Sequence, residues 1–202
     1  MATIDSVTLQ VADPATAEKF YADAFDLGPL LQLSPSEAPT SGFRGFTMSL
    51  VVAQPSTADA LISDARTAGA TIIKPAAASL WGYGGVLQAP DGTLWTIASS
   101  AKKDTGPATR QVDSVVLQLG VSDIRASREF YAERGFTASK SFGRRYAEYD
   151  TGPITFTLNK RAALAKSAGV AVDGDGSHRL VVNSSLGPFT DPDGFSWQRP
   201  TR

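Results

Sequence analysis

Polar and apolar residues alternate over residues 4–11, with Val7, Leu9 and Val11 on one face and Ser6, Thr8 and Gln10 on the other. A period of two predicts a strand with one buried face. Asp13-Pro14 follows as a helix N-cap with Pro at the first helical position. Ala17, Phe20, Tyr21, Ala24 and Phe25 then recur at helical spacing until Gly28-Pro29 stops the helix. Residues 34–42, rich in Ser, Pro, Thr and Gly, read as loop. A second strand is predicted over 46–52. A helix over 56–68 follows, capped by Ser56 or Thr57 and ended by Gly69, and then short strands near 71–74, 85–89 and 93–98. Residues 100–110 have the composition of a linker.

The same pattern then restarts. Residues 4–11 recur at 112–119, and the pair Phe20-Tyr21 returns as Phe130-Tyr131. Each half closes on a Pro-Asp-Gly turn with a Trp three positions on: Pro90-Asp91-Gly92 with Trp95, and Pro192-Asp193-Gly194 with Trp197. The second half predicts a helix over 123–134 stopped by Gly135, and strands near 137–142, 145–150 and 153–158. A short helix near 160–168 and strands near 178–183 and 195–198 complete it. No counterpart of the helix at 56–68 is visible there. Three landmarks in one order imply two related units, residues 1–99 and a partly truncated 112–202, joined by 100–111. The period is too long for a solenoid.

The motif Ser-Val-x-Leu-Gln seen twice, the Phe-Tyr helix, the segment Trp81-Gly82-Tyr83-Gly84-Gly85 and the Pro-Asp-Gly-x-x-Trp ending together resemble the vicinal oxygen chelate superfamily. That group holds glyoxalase I, bleomycin- and fosfomycin-resistance proteins and extradiol dioxygenases. The resemblance implies an α+β fold of duplicated βαβββ modules, whose curved mixed sheets enclose a cleft with helices on the convex side. It also implies three kinds of metal-ligand position: the opening of the first strand, the opening of the matching strand in the next module, and a site four residues after the Gly of the closing turn. Here these are Ser6, Thr47 and Thr96, and then Ser114, Ser177 and Gln198. None is His or carboxylate, and neutral oxygens on separate strands do not outcompete water for a divalent cation. The expectation is a metal-free member with no cofactor.

With 202 residues the chain can bury a sizeable core without a staple. The absence of Cys excludes disulfides, thiolate metal sites and Cys nucleophiles. A net charge of −1, with mixed signs along the chain, argues against a nucleic-acid surface. No apolar run reaches the length of a membrane span, and the opening residues do not read as a signal peptide. The expected location is cytoplasmic. A homodimer is the favoured assembly, because eroded modules leave sheet edges to cover; the alternative is one chain completing the paired arrangement alone.

Among the candidate groups, His178 stands beside an expected ligand position. Matched to Met48 it faces the helices, and a one-residue slip turns it into the cleft. A lone His among many Ser residues supports no catalytic triad. Asp173-Gly174-Asp175-Gly176 lacks the further acidic ligands of a calcium loop and reads as a flexible turn. Trp81 and Tyr83 either cap a cleft or pack a sheet edge. Trp95 and Trp197, out of phase with Thr96 and Gln198, read as core. Tyr146, Glu148 and Asp150 share a strand face near Arg144. They are either an exposed, self-neutralising surface or a cleft wall in which desolvation raises the pKa of Glu148.

Alternation places Ser6, Thr8, Gln10, Thr47, Ser49 and Thr96 on the concave face of one half, and Ser114, Gln118, Ser177, Arg179 and Gln198 on that of the other. Hydroxyls and amides with aromatic residues at the rim suit a small organic, by expectation aromatic, ligand that is bound or sequestered. The alternative is a lyase, isomerase or dioxygenase of the same superfamily, with Glu148, His178 or Tyr146 moving a proton or with an unforeseen metal set such as Glu148 with His178. A third reading has the cleft filled by the protein's own side chains.

Overall fold

A computed structural model of the chain describes residues 2–80 and 82–200. The first half runs β1 (Ile4–Val11), α1 (Pro14–Ala24), β2 (Leu31–Pro35), β3 (Thr40–Gly42), β4 (Phe46–Val51), α2 (Pro55–Thr67), β5 (Thr71–Ser79), β6 (Gly82–Gln88) and β7 (Leu94–Ser99). The second runs β8 (Ser114–Val121), α3 (Ile124–Glu133), β9 (Lys140–Phe142), β10 (Tyr146–Tyr149), β11 (Ile154–Lys160), α4 (Arg161–Ala168), β12 (Gly174–Gly176), β13 (Leu180–Ser184), β14 (Phe189–Thr190) and β15 (Ser196–Gln198). The architecture is α+β with mixed sheets, as the resemblance implies.

The halves do not build separate sheets. An eight-stranded sheet has the order β5-β6-β7-β4-β8-β11-β10-β9, and a five-stranded sheet the order β14-β15-β13-β1-β2. The seam of the larger sheet is antiparallel, from Phe46 opposite Leu119 to Val51 opposite Ser114. The smaller sheet is joined by β1 and β13, with Thr8 opposite Val181. Grouping the cleft residues by half therefore fails. Thr47, Ser49 and Thr96 share a face with Gln118, whereas Ser6, Thr8 and Gln10 lie with Asn183. Alternation fixes which face a residue takes but not which strand lies alongside, and the strand beside β4 comes from the other half.

The apolar faces of both sheets and helices α1, α2 and α3 share one core. Trp95 and Trp197 are 0% and 1% exposed. Tyr131 on α3 touches Phe156 of the larger sheet and Trp197 of the smaller, with ring centroids 5.2 and 5.3 Å away. The repeated landmarks meet physically. The Tyr21 hydroxyl donates to Asp91 at 2.8 Å, so the Phe-Tyr helix is tied to the first Pro-Asp-Gly turn. In the second half the acceptor for Tyr131 is Asp191, two residues upstream, at 2.5 Å. Asp193 instead accepts the backbone amide of Ser122 at 2.8 Å.

Several connections are more ordered than their composition indicates. The segment read as a flexible Asp-Gly turn forms β12, paired antiparallel with β3. Glycine permits that approach, since a Cβ on Gly174 would stand 2.3 Å from the Phe43 carbonyl oxygen. Within the loop expected over 34–42, β2 runs parallel to β1 up to Val11 opposite Pro35. The linker is docked. Gln54 accepts the amide of Thr105 and donates to the carbonyls of Gly106 and Pro107, each at 2.9 Å. Asp104 accepts the Ser56 amide at 2.8 Å. The start of α2 is thus capped from the linker, not by the side chain of Ser56 or Thr57.

Helix α4 takes the other side of the larger sheet. Leu164, Ala165 and Ala168 form a second cluster with Phe43, Val86 and Leu94. The carbonyls at its C-terminal end accept the Lys74 ammonium, at 3.0 Å from Lys166 and 2.6 Å from Ser167. Unlike α1–α3, it lies over the face that carries the hydroxyls and amides.

Leu117 is fully buried in β8, opposite Met48. Replacing it with Ala removes core volume at the seam and is expected to cost about 2–5 kcal/mol. Chemical denaturation monitored by tryptophan fluorescence measures this; a loss under about 1 kcal/mol contradicts the placement of the seam at the centre of the core.

Candidate functional site

The face of the larger sheet opposite the main core is built by register. Thr47 lies opposite Gln118, which is in turn opposite Thr157, which is opposite Glu148. On the other side of β4, Ser49 is beside Thr96 and Thr96 beside Val86. Ser114 is on the same face at the end of β8, opposite Val51. Thr47 donates to Gln118 Oε1 at 2.8 Å, and Asn159 donates to Thr157 at 2.9 Å. Thr157 and Asn159 escaped the sequence-based set, although the alternation Thr155, Thr157, Asn159 carries the signal.

Helix α4 divides this face. Thr47 and Thr157 are 1% and 2% exposed, so the third reading, a cleft filled by the protein itself, holds for the middle of the sheet. Beyond the helix an open cleft of about 350 Å³ runs over β5, β6 and β7, with Lys74, Gly84, Val86, Thr96 and Ala98 in its lining. Gly84 has no room for a side chain: a Cβ there would stand 2.4 Å from the Ile97 carbonyl oxygen of β7. Tyr83 turns toward the helices, its hydroxyl donating to Asp59 on α2 at 2.8 Å. Trp81 lies outside the described residues.

The corresponding face of the smaller sheet closes on itself. Asn183 Nδ2 donates to Ser6 Oγ and Thr8 Oγ1, both at 2.9 Å. Ser6 and Asn183 are 3% and 6% exposed. Gln10 is half-buried and Gln198, opposite Asn183, is exposed. Arg179 is held with φ +52° and clamps the Ala38 carbonyl through Nε at 3.0 Å and Nη2 at 2.7 Å. The Ser177 hydroxyl accepts the Arg179 amide at 3.0 Å.

His178 enters neither cleft. Its ring stacks on Phe195 with centroids 4.0 Å apart. Nδ1 lies 2.5 Å from the Arg44 carbonyl oxygen and Nε2 3.0 Å from that of Asp193. It ties the connection between β3 and β4 to the second Pro-Asp-Gly turn, and no contact joins it to Glu148. Glu148 accepts from Lys140 at 2.8 Å and from the Tyr146 hydroxyl at 2.6 Å. Burial raises its pKa, but the hydrogen bonds from Lys140 and Tyr146 and the Lys140 charge together outweigh it and hold the carboxyl below its ordinary value. Of the two readings offered for this strand face, the cleft wall with a raised Glu148 pKa is not found, because the groups that favour the carboxylate outweigh its desolvation. Burial and then the Glu148 hydrogen bond push the Tyr146 hydroxyl well up.

No family model and no curated protein matches the sequence. Solved structures do. Glyoxalase I from Zea mays superposes with a TM-score of 0.60 at 14% identity, covering 98% of this chain and 91% of that one. A candidate dioxygenase from Bacillus subtilis superposes with a TM-score of 0.57 at 12% identity, covering 90% of this chain and 69% of that one. The chain has the vicinal oxygen chelate fold. The metal positions that this fold implies do not fit an ion here. Ser6, Ser177 and Gln198 belong to the smaller sheet and its approach, Thr47, Thr96 and Ser114 to the larger, and all are neutral. Among the described residues no group of three or more His, Asp or Glu is placed to hold one.

The Glu148 carboxyl titrates below its ordinary value, so the stability it contributes is present at neutral pH and is lost as pH falls through that lowered value. Replacing Lys140 with Ala removes one donor and one charge, and the Glu148 carboxyl is then expected to titrate at higher pH. Carbon-detected NMR of the side-chain carboxyl measures this, and an unchanged midpoint contradicts the pairing.

Proposed function

We propose that this protein binds a small, planar aromatic molecule in the cleft over β5, β6 and β7, without a metal ion, and sequesters or carries it rather than transforming it. The observation that carries this reading is the small-residue floor of Gly84 and Ala98 beside the Thr96 hydroxyl, on a sheet face with neutral side chains at the positions the resemblance marks for metal. A ring lies against such a floor with much of one face desolvated, and a neighbouring hydroxyl orients it. Lys74, the cation in this lining, is held by the Lys166 and Ser167 carbonyls, and no other lining group offers a charge to stabilise a developing enolate as a metal would. Glu148 and Tyr146 are occupied with each other and with Lys140.

A ligand-observed NMR screen of planar aromatic metabolites tests the proposal. Binders are expected to lose at least about tenfold in affinity in Ala98→Phe, whose ring occupies the floor, and less in Thr96→Val, which removes one hydrogen bond. Hits that bind Ala98→Phe as well as the wild type would place the ligand elsewhere. In parallel, Zn²⁺, Ni²⁺, Mn²⁺ or Fe²⁺ is expected to leave the melting temperature unchanged. A saturable rise on adding any of them means a tight site in the folded state and overturns the metal-free reading.

A further inference from the structure

On the opposite side of the larger sheet, an open depression of about 740 Å³ lies between α3 and the β9–β10 hairpin. Its size suits a small organic ligand. The floor is the rim of the aromatic core: Phe136 and Tyr149 line it and are each 2% exposed. Tyr149 stacks on Phe156 with centroids 4.3 Å apart and planes within 6°. Among the described residues its hydroxyl has no hydrogen-bond partner, although the side chain is almost wholly enclosed. Burial pushes that hydroxyl up to about 12, so it remains a neutral donor.

Three guanidinium groups surround this floor. Arg125 is paired with Glu129 at 2.9 Å. Arg128 makes only a 3.4 Å contact with the Gly143 carbonyl, and neither it nor Arg144 has an ion-pair partner among the described residues. Arg144 acts on Asp123 through its charge alone, since Asp123 already accepts the amides of Arg125 and Ala126. Against the two carboxylates Glu129 and Asp123, the three arginines leave one positive charge uncompensated. Guanidinium forks match a carboxylate in geometry as well as sign.

We infer that this depression is a second binding site, taking an aromatic monocarboxylate. The ring covers Phe136 and Ala132, and the carboxylate sits between Arg128 and Arg144 within reach of the Tyr149 hydroxyl. The site faces away from the cleft over β5–β7 and does not depend on what that cleft binds.

Two-dimensional amide NMR of the full chain, titrated with naphthoate and with its uncharged analogue naphthamide, tests the inference. Saturable shifts on α3 and the β9–β10 hairpin are expected with naphthoate, and binding at least about tenfold weaker with naphthamide. The double variant Arg128→Gln, Arg144→Gln is expected to weaken naphthoate to the same extent. Arg144→Gln alone, at an exposed position, is expected to act in the same direction, and Tyr149→Phe to weaken binding while the stack on Phe156 persists. No saturable shift, shifts confined to β5–β7, or equal binding of the acid by the double variant would overturn the inference.

Discussion

The antiparallel seam between β4 and β8 sets Met48 against Leu117 on one face and Thr47 against Gln118 on the other. Both strands turn the same alternation inward, so pairing them continues the core and the polar face at once. The sheet has eight strands because this pairing crosses the two halves, and β1 and β13 repeat the arrangement in the smaller sheet. Once both seams form, the apolar faces turn toward each other across α1, α2 and α3, and the polar faces turn outward. A leading strand with an open edge is a pairing hazard. Here each such edge is covered from within the chain.

The outward faces have diverged in what they can do. On the smaller sheet, Asn183, Ser6 and Thr8 consume one another's hydrogen bonds and leave little unsatisfied polarity for a ligand. On the larger sheet, α4 brings apolar side chains onto the face and buries Thr47 and Thr157, while a cleft over β5–β7 stays open. The glycines of β6 matter for a steric reason: a side chain at Gly84 would collide with the neighbouring strand's backbone.

The motifs that marked the repeat serve the scaffold. Tyr21 with Asp91, and Tyr131 with Asp191, bind each leading helix to a closing turn, and His178 stitches the second turn to the connection between β3 and β4. These are buried or partly buried contacts between distant segments. Breaking one leaves a desolvated polar group behind, which costs more than the bond itself contributes. The two Tyr–Asp ties recur in the two halves with the acceptor displaced by two residues, whereas the His178 contact is particular to the second.

The sequence by itself determined the four helices and most strands, though not β2, β3, β12 or β14, together with the core placement of Trp95 and Trp197 and the face taken by Ser6, Thr8, Thr47, Ser49, Thr96 and Gln118. All of these follow from local periodicity, which reports burial. Neutral residue types at the positions the resemblance marks for metal were equally legible, because identity needs no coordinates. Only the tertiary structure decided that Thr47 faces Gln118 across a seam between halves, that Asp104 caps α2, and that β12 pairs with β3. It also decided that α4 enters the cleft and that Lys140 and Tyr146 pair with Glu148 and outweigh its desolvation. Each is a contact between segments far apart in the chain. Periodicity carries the direction of a side chain, but the neighbour it meets there is set by how the sheets assemble.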